Sequence, residues 1–438
     1  MTDRLRLPML LSCVLAALVA VLRAESPRVF AITNARIVTA VGPVIENGTI
    51  VLRNGLIEAA GAGVAAPADA RIIDGKGHTV YPGLIDMGTT TPVDVPRPAN
   101  QPEPATTEQA ERAKRDAIFR PGFEAAEHIK TDAADLAAVA GAGITSVLAI
   151  PDGTVFPGRS ALINVVPPTD DPQIGSQADV RDGLLVVKAP VALHVVYTAR
   201  PPGGGYPNSL MGVIAFVRQS FLDAQYSRNA AQAYAFKPAG HKRPQPDPGL
   251  DALGPALDRT LPVAFAAQEL REIRRVLAMA SEFRLNPIVV GGLEADQAVA
   301  EIKAASAPVI FSLNVPTRPK TLAPDADEPI RVLRQRAHAL KVPAALEKAG
   351  VAFAFQSGGL KDPKDFLKHA AKAVKEGLAA DAAIRALTIN AARISGAADR
   401  IGSLESGKIA NLIVTNGDLF ADDTKILHVF VDGCLVPR

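Results

Sequence analysis

The 438-residue chain has no tryptophan, two cysteines and seven histidines, and aromatic residues make up only 5% of it. With so few rings the core must be packed from alanine, valine, leucine and isoleucine, which a 48% hydrophobic fraction supplies. Two cysteines, Cys13 and Cys434, exclude a disulfide scaffold, and loss of the N-terminal segment would leave Cys434 with no intrachain partner. An excess of one charge is lacking as well, since 47 Lys and Arg stand against 45 Asp and Glu. Over the whole chain this balance argues against nucleic acid or an anionic membrane as partner. Long apolar runs are missing except at the N-terminus.

There, Arg4 and Arg6 precede an apolar run over 7–22, and small residues follow near Ala24. This is the order of a secretory signal, so residues 1–24 are expected to be cleaved, leaving a periplasmic or extracellular protein with no stable membrane span. A retained anchor is the alternative, because the run is close to the shortest that spans a bilayer. Leu10-Leu11-Ser12-Cys13 loosely resembles a lipobox but comes too early in the run.

What is present is punctuated β structure at both ends and a βα rhythm between them. Strand-like pieces at 29–39, 48–52 and 56–60 have Asn47-Gly48 and Asn54-Gly55 between or beside them, and those at 410–415 and 425–431 have Asn416-Gly417 and Asp432-Gly433. Asn-Gly and Asp-Gly favour tight left-handed turns, so an antiparallel meander is expected from each end. In the middle, apolar runs at 262–266, 287–290, 309–313 and 351–355 alternate with helical periods. Leu270, Ile273, Leu277 and Ala280 mark one helix and Ala295, Ala298, Val299 and Ile302 another; Ile384, Leu387, Ala391 and Ile394 mark a third over 382–394, capped by Asp381. These patterns predict a parallel α/β architecture, with long Pro-, Gly- and Thr-rich loops at 92–107, 199–208 and 241–248. The fold class is a (β/α)8 TIM barrel over 79–400, with a small composite β-sandwich built from 25–78 and 401–438.

Several segments carry a resemblance. Pro82-Gly83-Leu84-Ile85-Asp86, Ala140-Gly141-Ala142-Gly143-Ile144-Thr145-Ser146-Val147, Leu387-Thr388-Ile389-Asn390-Ala391-Ala392 and Ile401-Gly402-Ser403-Leu404-Glu405-Ser406-Gly407-Lys408-Ile409-Ala410-Asn411-Leu412 are similar to motifs of the amidohydrolase superfamily, especially its secreted imidazolonepropionase-like branch. Asn411 stands where that family usually has Asp. The resemblance implies hydrolysis of non-peptide carbon–nitrogen bonds at a divalent metal. Its ligands would be a His-x-His after strand one, a Lys or Glu on strand four, His after strands five and six, and Asp after strand eight.

Carried across, almost none of that set is present. The His-x-His falls on Gly88 and Thr90, the strand-five histidines on Ala266 and Gln268, the strand-six histidine on Gly291, and the Thr-Asp of strand eight on Ser357-Gly358. Only His194, at the strand-four position, is an imidazole at a ligand-equivalent place. Glycine, threonine and alanine offer nothing that replaces imidazole or carboxylate. No cofactor is therefore expected, and the leading expectation is a ligand-binding or scaffold protein that has lost its metal centre. The pocket candidates are His194, Gln268, Gln356 and Ser357, a set able to hydrogen-bond an amide or a sugar.

Two alternatives stay open. One is an active hydrolase with zinc or another divalent ion held by His194 and loop residues; the other is a non-catalytic subunit paired with an active paralogue. A homo-oligomer is also compatible with the fold. His78 is expected to face the small β domain, and His128, His241, His338 and His369 to lie on the surface. No Gly-x-Ser-x-Gly elbow surrounds Ser357 or Ser209, and Gly203-Gly204-Gly205 opens no helix, so a serine hydrolase and a phosphate loop are both set aside.

Overall fold

The computed structural model describes residues 29–95, 106–129, 134–165, 180–181, 184–197, 206–319, 321–323 and 325–436. The expected signal segment, the triple glycine and parts of the proline-rich loops lie outside these residues.

Both ends of the chain enter one eight-stranded sheet. Val29–Ile37 pairs antiparallel with Ile45–Arg53, which pairs in turn with Leu56–Gly61. On its other side Val29–Ile37 runs parallel to Arg71–Asp74 and Thr79–Pro82. Leu412–Thr415 joins antiparallel to Thr79–Pro82, followed by Ile426–Val431 and Cys434–Leu435. The sheet curls on itself. Phe30 and Phe430 sit three strand steps apart, about 14 Å in a flat sheet, yet their ring centroids are 5.2 Å apart, edge to face. Ile32, Ile37, Ile50, Leu52, Val80, Leu412 and Val414 fill the space enclosed, as in a sandwich.

Two of the expected turns form and one does not. Asn54-Gly55 and Asp432-Gly433 have positive φ at both residues and close two-residue hairpins. Asn47-Gly48 lies inside Ile45–Arg53, with Gly48 opposite Ala35. The glycine is needed there for packing, because a Cβ would stand 2.8 Å from Ile37 Cδ1 and from Ile45 Cγ2. Asn416-Gly417 opens a longer loop between Leu412–Thr415 and Ile426–Val431.

The remaining strands form the barrel. Leu84–Thr89 runs parallel to Ile144–Ala149, and Leu193–Val196, Val263–Ala267, Pro287–Gly291, Val309–Ser312 and Phe353–Gln356 follow one another in parallel. The last returns beside the first, where the Ser357 amide donates to Asp86 Oδ1 at 2.7 Å and Ser357 Oγ to the Gly88 carbonyl at 3.2 Å. Alternation sorts the side chains: Ile85, Met87, Leu148, Ala264, Ile288, Ile310 and Ala354 fill the interior, while Leu84, Val147, Phe265, Phe311 and Phe355 face the helices. The few aromatic rings of these strands thus lie in the outer layer.

One position in the ring departs from a uniform parallel barrel. Val155–Arg159 runs antiparallel to Leu193–Val196, and Ala161–Asn164, just beyond a bend at Ser160, runs antiparallel to Ile144–Ala149. This bent segment links the two halves of the barrel wall. Its far end is tied to the curled sheet by amides: Asn411 Nδ2 donates to Asn164 Oδ1 at 2.9 Å and to Ser146 Oγ at 3.2 Å, and Asn164 Nδ2 donates to Asp432 Oδ1 at 2.6 Å. An aspartate at 411 could donate neither bond.

The helix expected over 382–394 is two helices, Ala380–Leu387 and Ile389–Ile394. They are separated at Thr388, whose Oγ1 donates back to the Ile384 carbonyl at 2.6 Å. Asp381 is not the cap; it lies within the first turn and pairs with Arg385 at 2.5 Å, while Ala379 holds the cap position.

Candidate functional site

Parallel barrels present their working face at the carboxyl ends of the strands. The described residues at or just past those ends include Gly88, Tyr197, Gln268, Gly291, Ser312, Asn314, Gln356, Ser357 and Gly358. Asp86 organises the junction between the first and last strands. It is 4% exposed, and its Oδ1 accepts from the Ser357 amide at 2.7 Å and the Gly88 amide at 3.1 Å. Burial raises its pKa from 3.8 to about 6, with the bonds from Ser357 and Gly88 opposing that rise.

Three of the positions where the resemblance would place ligands are glycines, and at each a neighbour occupies the space a Cβ would take. A Cβ built on Gly88 would stand 2.2 Å from Gln356 Oε1; one on Gly291, 2.5 Å from the Gln268 carboxamide; one on Gly358, 2.2 Å from Ser312 Oγ. Gly291 and Gly358 also have φ of +108° and +59°, which favour glycine on backbone grounds. Asn314 extends the polar strip, donating from Nδ2 to the Gly358 carbonyl at 2.9 Å.

Gln356 and Ser357 therefore sit together beside Gly88 and Asp86. Gln268 is exposed on the far side against Gly291, its amide held by Glu272 Oε2 at 2.8 Å. His194 stands apart from both. Its strand register sets it beside Ala264, one pleat before Ala266, and it is 4% exposed. Its Nε2 is buried and has no hydrogen-bond partner among the described residues, and burial lowers its pKa to about 4. It is a neutral imidazole in an apolar wall.

Sequence reasoning missed Tyr197, Ser312 and Asn314. Tyr197 is stacked on Phe265 with centroids 6.5 Å apart, and its buried Oη has no partner among the described residues. The available signal was positional, since Tyr197 and Asn314 each fall just past the end of a barrel strand. His369 is half-buried, not on the surface, and its Nδ1 lies 2.8 Å from the Leu313 carbonyl, beneath the polar strip.

The described residues at these strand ends do not fit a resident divalent metal. Among the described residues no three His, Cys, Asp or Glu side chains come together as a ligand group. Carboxamide and hydroxyl oxygens are poor substitutes for imidazole and carboxylate, and the Asp86 oxygen nearest the first ligand position already accepts two amide hydrogens.

The amidohydrolase family model matches residues 255–436. No curated protein matches. Among solved structures, an amidohydrolase from Thermotoga maritima MSB8 is similar at 21% identity and a TM-score of 0.73, over 93% of this chain and 100% of that one. A Xaa-Pro dipeptidase with bound methionine is similar at 19% and 0.52, over 93% and 99%. A dihydropyrimidinase from Brevibacillus agri NCHU1002 is similar at 14% and 0.50, over 94% and 95%. These likenesses show the fold, a barrel with an attached β domain, and the family match covers the C-terminal part of the chain.

Proposed function

We propose that the barrel mouth binds a small polar, uncharged ligand through hydrogen bonds and no longer hydrolyses it. One observation carries this reading: the volumes that ligand side chains would fill above Gly88, Gly291 and Gly358 are taken by Gln356, Gln268 and Ser312. A chain that had merely lost its ligands would leave space for water or metal; here the space is packed with neutral donors and acceptors. Carboxamides and hydroxyls pair with amides and sugars without the desolvation cost of a charge. The two buried titratable groups nearby, Asp86 and His194, are both biased towards their neutral forms.

The competing reading, an active hydrolase with a rebuilt metal site, draws its support from the unpartnered Nε2 of His194. Thermal-shift screening with small amides and sugars separates the two. Binding predicts a saturable rise in Tm that Gln356→Ala and Ser357→Ala weaken at least tenfold and that chelators leave unchanged. A rise that requires added zinc and disappears in His194→Ala would support the hydrolase instead.

A further inference from the structure

The helix Leu210–Phe236 starts at Ser209, whose hydroxyl accepts from the Gly212 amide, and is about 40 Å long. Its first half is anchored by Val213, Val217, Ser220, Phe221 and Ala224. Beyond Ala224 no side chain is buried as far as residue 250, so the second half leaves the body of the protein. The chain turns at Gly240 and comes back to Asp247, which pairs with Arg115 at 2.9 Å. The result is an arm. Phe236 near its tip is 92% exposed, and Tyr226 on its side 76%.

Charge is distributed unevenly along it. No Asp or Glu occurs between Asp223 and Asp247, whereas Arg228, Lys237, His241, Lys242 and Arg243 all do. Arg228 is engaged by Asp258 at 2.7 Å. Lys237, Lys242 and Arg243 have no acidic partner among the described residues, so three unpaired cations lie within seven residues of an exposed phenyl ring. The near-neutral balance of the whole chain conceals this local excess.

We propose that the arm docks the protein on an anionic membrane surface, with Phe236 entering the interface and Lys237, Lys242 and Arg243 meeting lipid phosphates. An exposed turn that offers one apolar ring among cations suits a penetrable bilayer better than a rigid protein surface. Basic side chains around an apolar anchor also match the layered polarity of the interface. The contact is superficial, since no helix among the described residues is long and apolar enough to cross a membrane.

The absence of tryptophan provides the test. In Phe236→Trp the only indole in the full chain reports on the tip, whatever the N-terminal segment does. With vesicles of phosphatidylcholine containing about 30% phosphatidylglycerol, emission should shift to the blue, and the shift should vanish at about 0.5 M salt. Adding Lys237→Gln, Lys242→Gln and Arg243→Gln should weaken partitioning about 100-fold, roughly fivefold per charge. All four positions are exposed, and unchanged circular dichroism would confirm folding. Emission that stays at its aqueous value with these vesicles would overturn the proposal and favour an acidic protein partner. So would an equal shift on pure phosphatidylcholine, or a shift that follows protein concentration without vesicles, which would point to a second copy.

Discussion

Asp86 and His194 are buried groups shifted in opposite directions, and stability against pH should show it. Asp86 has a folded pKa raised from 3.8 to about 6, so its contribution favours folding at low pH and is lost as pH rises through 6. His194 has a folded pKa lowered from 6.5 to about 4, so its contribution is present above 6.5 and is lost as pH falls towards 4. Each is worth about 3 kcal/mol, and across pH 4–6 they largely cancel. Urea melts should therefore show Asp86→Asn losing stability on acidification more steeply than the parent, and His194→Gln gaining it. Parallel pH profiles for the two variants would contradict this assignment. Gly88→Ala should cost about 1–2 kcal/mol, because the obstructing atom is the end of a glutamine side chain. In a Gln356→Ala background most of that cost should disappear, a coupling that a double-mutant cycle measures. The sequence has glycine at 88, 291 and 358, where the resemblance would place ligands. It does not show what fills their volumes, because the pairs 88 with 356, 291 with 268 and 358 with 312 are contacts made only on folding.

At the level of elements, the periods at 262–266, 268–283, 287–290, 309–313 and 351–355 were legible because alternating burial and helical stripes leave their mark in composition. Strand direction leaves no such mark, so the antiparallel segment from Val155 to Asn164 could not be anticipated. Within it Gly158 has φ of +135°, and a Cβ there would stand 2.7 Å from the Phe123 carbonyl oxygen. Backbone cannot yield as a glutamine can. Gly158→Ala should therefore cost about 3 kcal/mol or more, clearly above Gly88→Ala, in paired chemical denaturation. The break at Thr388 was hidden for a related reason: Ile384, Leu387, Ala391 and Ile394 keep helical spacing across it, while the interruption depends on a local hydroxyl bond.

For the whole molecule, the joining of both chain ends in one sheet was readable from matching turn and strand patterns at the two termini, and the fold class followed from it. Removing residues 412–436 would strip the partner from Thr79–Pro82 and expose Val80 and Tyr81. Chains ending at residue 400 should be largely insoluble, as fractionation would show, and soluble monodisperse protein would argue that the barrel folds alone. At this scale the proposal is a barrel whose mouth binds by hydrogen bonding in place of metal. Metal content by elemental mass spectrometry, on protein purified from zinc-, manganese- and iron-supplemented medium, tests it most directly. Metal at background is the expected result. Near-stoichiometric metal, lost on replacing His194 with Ala, would contradict it.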